Sequence, residues 1–268
     1  MKPQEDIMDT YTGFAYVYDE MMSNIPYLQW EAYLLQLLYS SGVKPDASIA
    51  ELGCGTGTMT ELLSDDGFDI TGIDLSEDML SLAREKVPGV NFLRMDMREF
   101  ILDKKQDAII SVADSVNYLE SVDDLAKTLK CVRDALKPGG VFIFDLKTEF
   151  FYKYIVRNRT FRGRGKGFSY VWKNYYDEDG KFHIYDVSIK RKCKSEQCLV
   201  GNHADGARVN KKRTIENEIH KQHVFTAAEI KAAALETGFS HATVYGNMTF
   251  EKPRKNNDRI YVVLKKEL

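Results

Sequence analysis

The sequence predicts an α/β protein: a doubly wound, seven-stranded, mostly parallel sheet carrying an antiparallel β insertion. Three observations support this. From residue 45 to 148 short apolar runs alternate with helix-period segments, the pattern of parallel strands covered by helices on both faces. The first apolar run opens into a glycine-dense turn and then a helix, IAELGCGTGTMTELL over Ile49–Leu63. Between Phe150 and Val224 the period shortens to two, as in antiparallel strands, and helical spacing returns only after Val224. Residues 1–149 and 225–268 are therefore read as the core, and 150–224 as a β-rich lid inserted into it.

With 268 residues, 44% hydrophobic and 29% charged, the chain can bury one large core. No run of about eighteen apolar residues is present, which argues against a membrane span. The opening MKPQEDIMDTYTG lacks the apolar centre of a signal peptide, so the expected location is the cytoplasm. Cys54, Cys131, Cys193 and Cys198 lack metal-ligand spacing and read as free thiols, so no metal is expected.

Taken in order, Tyr11, Phe14, Tyr18 and Met22 recur at helical spacing, one face of a short N-terminal helix. That face either packs on the core or closes over a ligand. A second amphipathic helix follows over Tyr27–Ser41, ended by Gly42 and Pro45. The glycine loop comes next, with Gly53, Gly55 and Gly57 at alternate positions. A dinucleotide fingerprint needs a third glycine where Thr58 stands, and a phosphate-cradling loop needs a lysine that is absent. Strand two, Ile70–Ile73, ends at Asp74, and Ser76 caps the next helix with Leu75 and Leu80 as a hydrophobic staple. An acid at that strand end can accept both hydroxyls of an adenosyl ribose. Strand three, Val90–Arg94, leads to Met95-Asp96-Met97, where a carboxylate can accept from an adenine amine between two methionines. Strand four, Asp107–Val112, runs into Ala113-Asp114-Ser115-Val116-Asn117-Tyr118. Ser121 caps a helix striped by Val122, Leu125, Leu129, Val132 and Leu136; Lys137-Pro138-Gly139-Gly140 stops it before strand five, Val141–Leu146. In such sheets ligands bind outside the carboxyl ends of the strands, where the glycine loop, Asp74, Asp96 and Asp114 all fall.

The insertion holds strand candidates at Phe168–Tyr176 and Phe182–Ile189, joined by the turn Asp177–Gly180, and at Arg213–Val224. Its lysines and arginines outnumber acids about two to one, which can steer an anionic substrate or simply form a solvated surface. The core resumes with the capping box Thr226–Glu229 and ends in two strands, His241–Tyr245 and Arg259–Lys265.

The motifs ELGCGTGT, ITGIDLSEDML, RMDMREF, DAIISVADSVNYL and LKPGGVFIFDL, in this order, resemble class I S-adenosylmethionine-dependent methyltransferases. FAYVYDEMM and the stretch ENEIHKQHVFTAAEI are similar to a bacterial subgroup with a β-rich lid, so the resemblance covers nearly the whole chain. It implies S-adenosylmethionine across the strand ends and a last strand that is antiparallel. It further implies Gly53, Gly55 and Gly57 against the methionine and ribose, with Glu51 fixing the loop and reaching the amino group through water. Asp74 would hold the ribose, Asp96 and Met97 the adenine, with Leu75 and Met79 also in the cofactor site. Ala113 and Asp114 would line the methionyl part, and Tyr11 and Tyr18 would close the site.

The expected activity is methyl transfer to a nitrogen or oxygen of a small molecule. The alternatives are a nucleic-acid methyltransferase, favoured only by the basic insertion, and a non-catalytic S-adenosylmethionine-binding regulator. A nicotinamide oxidoreductase is disfavoured by the loop spacing. The Pro-Pro-aromatic tetrapeptide of base-amine methylation is absent, and ADSVNY stands in its place. No membrane partner is expected, and the chain reads as a monomer or homodimer. If a general base is needed, His220 is the candidate and His223 the substitute. Glu218 shares a strand face with His220, and the plain alternative for His220 is a lid-surface histidine.

Overall fold

The computed structural model describes residues 14–192 and 213–268. Tyr11, Cys193, Cys198 and the polar stretch between β8 and β9 lie outside the described residues. In order come α1 (Ala15–Met21), α2 (Tyr27–Ser40), β1 (Ser48–Leu52), α3 (Thr58–Asp65), β2 (Asp69–Asp74), α4 (Glu77–Lys86), β3 (Asn91–Arg94) and β4 (Gln106–Ser111). A 3-10 turn at Ser115–Tyr118 precedes α5 (Val122–Ala135) and β5 (Leu136–Lys147), and a π-helical turn spans Phe151–Val156. The inserted strands are β6 (Thr160–Gly165), β7 (Phe168–Asp177), β8 (Phe182–Lys192) and β9 (Arg213–His223). They are followed by α6 (Ala227–Glu236), β10 (Phe239–Tyr245) and β11 (Arg259–Lys266).

The main sheet has the order β10-β11-β5-β4-β1-β2-β3. Strands β1 to β5 pair in parallel, while β11 runs antiparallel to both β5 and β10. The order reverses beside β1, and that reversal opens the crevice where a ligand can sit. Strand alternation sends successive residues of β5 to opposite layers. Val141 and Ile143 pack under α2 and α3 with Leu34, Leu37 and Leu63, while Phe142 and Phe144 pack under α5 and α6 with Leu125, Leu129 and Ile230. Each such buried side chain contributes about 1.5–3 kcal/mol.

The expected caps are in place. Ser76 accepts from the Met79 amide, Ser121 from the Asp124 amide, and Thr226 and Glu229 form the full capping box. Three local expectations change. Leu75 is 44% exposed and so does not staple to Leu80, which is buried with Ala83, Val87 and Phe92. Val122 is exposed, and Leu136 already belongs to β5, opposite Gln106, because the Lys-Pro-Gly-Gly segment is held extended by the sheet rather than looping free. Strand β6 was not anticipated: TFRGRG has weak strand propensity and pairs only because β7 offers it an edge.

The inserted strands form a second sheet, β6-β7-β8-β9, antiparallel throughout. In its register Trp172 faces Val187 and Glu218, and Tyr185 faces His220, so these side chains share the face turned to the core. Arg162, Arg164 and Lys190 have the opposite parity and are exposed on the outer face.

A buried ionic cluster joins this lid to the sheet. Asp114 accepts from Arg259 Nη2 at 2.9 Å and pairs with Lys147 Nζ at 3.0 Å, while Arg259 Nη1 faces Asp145. From the lid, Gln222 Nε2 donates to Asp114 Oδ2 at 2.8 Å, and its own oxygen accepts from Tyr152 Oη at 2.8 Å. Desolvation opposes ionising Asp114, but the two cations outweigh it and hold its carboxyl below the usual range. Two acids and two bases balance the buried charge. Asp114→Asn removes one negative charge and strands a positive one, so it should cost about 3–5 kcal/mol in urea unfolding. Gln222→Ala, which removes a neutral partner, should cost nearer 1–3 kcal/mol. Equal losses would show that charge balance does not matter here.

Candidate active site

The site begins where β1 and β2 end side by side. Gly53, Gly55 and Gly57 all have left-handed backbones, with φ of 70, 54 and 77°. A Cβ at Gly53 would come within 2.6 Å of Ser115, so only glycine allows the loop to lie against that turn. Asp74 braces the loop directly: Oδ2 accepts from the Gly55 amide at 2.8 Å and Oδ1 from the Ser76 amide at 2.9 Å. Burial raises its carboxyl above the usual range, and the backbone donors offset only part of that. The Leu75 amide is a third backbone partner of this carboxylate. Glu51 is buried beneath the loop and accepts from Thr60 Oγ1 at 2.5 Å. Desolvation pushes its carboxyl up to about 8.

These groups line a cavity of about 400 Å³ between the strand ends and the lid. Leu75, Met79, Met97 and Ala113 line it too. Asp96 lies on its wall, but its carboxylate is clasped by Arg98, whose Nε reaches both oxygens at 3.0 Å and whose Nη2 reaches Oδ2 at 2.5 Å. Desolvation opposes ionisation of Asp96, yet Arg98 outweighs it and lowers the carboxyl. The carboxylate expected to meet an adenine amine is thus held in place by Arg98. Asp114 also borders the cavity, but its carboxylate is committed to Lys147, Arg259 and Gln222.

Helix α1 lies across the opening. Tyr18 is inside, its hydroxyl paired with that of Tyr27, and burial raises both phenols, Tyr27 to about 12. Asp19 fastens the helix to the loop, accepting from Thr56 Oγ1 at 2.5 Å and pairing with Lys86 at 2.7 Å. The Phe14 amide donates to Glu218 Oε1 at 2.8 Å, which ties the helix to the lid.

The lid supplies the far wall with Trp172, Tyr185 and His220. His220 is 2% exposed, so it is not a surface histidine. Its Nδ1 is 3.4 Å from the Tyr118 hydroxyl and its Nε2 is 3.4 Å from Glu218 Oε2. His220, the expected base, thus sits in the lid wall with its Nδ1 toward Tyr118 and its Nε2 near Glu218 but outside hydrogen-bond geometry. His223 points the other way, packed between Phe182 and Phe225, and burial lowers its imidazole. Sequence reading missed Tyr27, Lys147, Trp172 and Tyr185. Lys147, at the carboxyl end of β5, had a readable signal in its position; the aromatics had none that separates a wall from a core.

Among the described residues no cluster of three or more His, Cys, Asp or Glu could hold a metal, and no helix is long and apolar enough to cross a membrane.

Residues 49–140 match the family model of a methyltransferase domain. The chain is 34% identical over 255 residues to the candidate methyltransferase YqeM of Bacillus subtilis strain 168, covering 94% of this chain and 95% of that one. This chain belongs to the class I S-adenosylmethionine-dependent methyltransferases. S-adenosylmethionine is the cofactor of the enzyme. A solved S-adenosylmethionine-dependent methyltransferase from Clostridium acetobutylicum shares its fold, with a TM-score of 0.78 and 24% identity over 96% of this chain and 99% of the other. A Streptomyces venezuelae dTDP-3-amino-3,4,6-trideoxy-α-D-glucopyranose N,N-dimethyltransferase is 37% identical over 102 residues, or 38% of this chain and 43% of the relative. The residues of this methyltransferase fit the cofactor: the left-handed glycine loop leaves an uncrowded approach, and Asp74 offers paired acceptors.

Glu51 makes stability depend on pH in a definite direction. Unfolded, the carboxyl ionises near 4.5; folded, near 8, so the folded state holds an extra proton between them. Wild type should lose stability relative to Glu51→Gln as pH rises from 4.5 to 8, by on the order of a few kcal/mol, and then level off. Thermal midpoints of the two proteins across pH 5–9 check this; parallel curves would refute it.

Proposed function

We propose that this methyltransferase moves the methyl group of S-adenosylmethionine to a nitrogen or oxygen atom of a small molecule. The observation that carries the reading is the cavity between the strand ends and the inserted sheet, walled by Tyr118, Trp172, Tyr185 and His220 and crossed by α1. A cavity of this size takes a compact acceptor. Of the insertion's basic residues, Arg162 and Arg164 lie on the outer face while Lys221 lines the cavity. The Streptomyces relative, named for dimethylating the nitrogen of an amino-sugar nucleotide, supports a nitrogen acceptor.

S-adenosylmethionine, when bound, supplies a methyl group activated by a sulfonium. The protein's part is alignment and exclusion of water. The glycine loop and Glu51 would hold the methionine end, with Glu51 losing its proton to face the ammonium. Asp74 would accept from the ribose hydroxyls at its carboxylate oxygens. Leu75, Met79 and Met97 would flank the adenine, with Asp96 fixed by Arg98 at the rim. Ala113 would line the methionyl path and Tyr18 would cover it.

Asp74→Ala should weaken S-adenosylhomocysteine binding at least tenfold (about 1.4 kcal/mol) by calorimetry. Asp74→Asn, which keeps one acceptor for the loop, should also lose affinity; undiminished binding in both would sink the ribose assignment. The acceptor class is tested by screening amines, amino sugars, phenols, carboxylates and RNA for methyl-dependent S-adenosylhomocysteine release. Turnover with an amine, amino sugar or phenol supports the proposal. Turnover with RNA alone would replace it.

A further inference from the structure

We propose that Tyr118 is the catalytic residue that receives the acceptor's proton, with His220 and Glu218 acting through it as positioning residues. This rests on the reading of the enzyme as an N- or O-methyltransferase.

The backbone ahead of Tyr118 is the first observation. Ala113 and Asp114 leave β4 with φ of 59 and 58°, two consecutive non-glycine residues in the left-handed region. Such a conformation costs free energy and persists only where surroundings enforce it. Here the enforcement is the ion pairing of Asp114 with Lys147 and Arg259. The strained corner starts the 3-10 turn Ser115–Tyr118, and that turn delivers the Tyr118 ring to the chamber wall.

The second observation is the order of groups behind the ring. Glu218 Oε1 accepts the Phe14 amide. Glu218 Oε2 lies 3.4 Å from His220 Nε2. That contact lies outside hydrogen-bond geometry, and the relay requires the ring hydrogen on Nε2, which leaves the Nδ1 lone pair for the Tyr118 hydroxyl 3.4 Å away. Hydrogen bonds of this length in a free enzyme can tighten when the reactants are bound. The Phe14 ring, 5.5 Å from the imidazole, covers its flank. The other ionisable groups around the relay are Tyr185 opposite His220 on β8, Tyr18 on α1 beside Tyr118, the Lys147–Asp114 pair, and Lys221 next along β9.

The balance is simple. The acceptor atom forms its bond to the methyl carbon with its own lone pair, and the carbon–sulfur pair stays on sulfur. The acceptor's N–H or O–H bond then breaks. Its proton goes to Tyr118 Oη as the tyrosine's own proton passes to His220 Nδ1. The resulting imidazolium faces the Glu218 carboxylate and yields one proton to solvent when the chamber opens. A positioned base of this kind is worth about 10²–10⁴-fold in rate.

The first test needs no acceptor. In the protein saturated with S-adenosylhomocysteine, ¹⁵N NMR of His220 should show hydrogen on Nε2 and a bare Nδ1. Hydrogen on Nδ1 in the neutral ring overturns the relay. The second test uses whichever acceptor the screen identifies. Tyr118→Phe should lower kcat about a hundredfold, leave KM within a few fold and S-adenosylhomocysteine affinity within twofold, and abolish the acid limb of the rate profile. Glu218→Gln should displace that limb. Wild-type kcat in Tyr118→Phe, or an unmoved limb in both variants, refutes the proposal. A screen without turnover would count against the small-molecule reading, and the tautomer measurement would still judge the relay separately.

Discussion

The buried pairing of Asp114 with Lys147 and Arg259 is the constraint on which the rest of the site depends. One carboxylate gathers cations from β5 and β11 and an amide from the lid strand β9. Asn117 reinforces the junction: its Oδ1 accepts the Lys147 amide and its Nδ2 donates to the His223 carbonyl. Arg259 also lies 4.6 Å over the Trp30 ring, which brings α2 into contact with the same cluster. Buried charges of this kind are weak evidence for stability but strong evidence for a fixed geometry, because few arrangements leave every charge paired. The geometry fixed here is the position of the lid over the strand ends.

A second brace works at the other end of the cavity. Asp74 holds the glycine loop and the start of α4 before any ligand arrives. Preorganisation of this sort avoids an ordering cost at the moment of binding. Glu51 stores a proton beneath the loop because desolvation outweighs its bond from Thr60. The site thus holds two buried acids whose burial resists ionisation and whose ionised forms suit a cationic ligand. The clasp of Asp19 on Thr56 and Lys86 holds α1 across them.

The inserted sheet supplies one wall of the cavity. Its inner face carries Trp172, Tyr185, Glu218, His220 and Gln222 beside the buried Val187 and Ile189. Aromatic walls supply shape and can favour a cationic transition state, while the polar members reach back to the core. Arg162 and Arg164 of the insertion face outward and do not line this cavity.

The local pattern of the sequence determined the core and the cofactor side. Glycine spacing at Gly53, Gly55 and Gly57, an acid ending each of two strands, and capped helices at Ser76, Ser121 and Thr226 are effects of near neighbours, so they are legible without a fold. Only the tertiary structure decided what those acids do. Asp96 meets Arg98 two residues on, and the bonds depend on how the turn folds. Asp114 meets Arg259 across 145 positions and Gln222 across 108, distances over which no periodicity carries information. Strand β6 exists because β7 presents an edge, not because TFRGRG prefers extension. The same is true of His220: its residue type marked it as a proton carrier, but burial and the flanking Tyr118 and Glu218 decided that it works from behind another group.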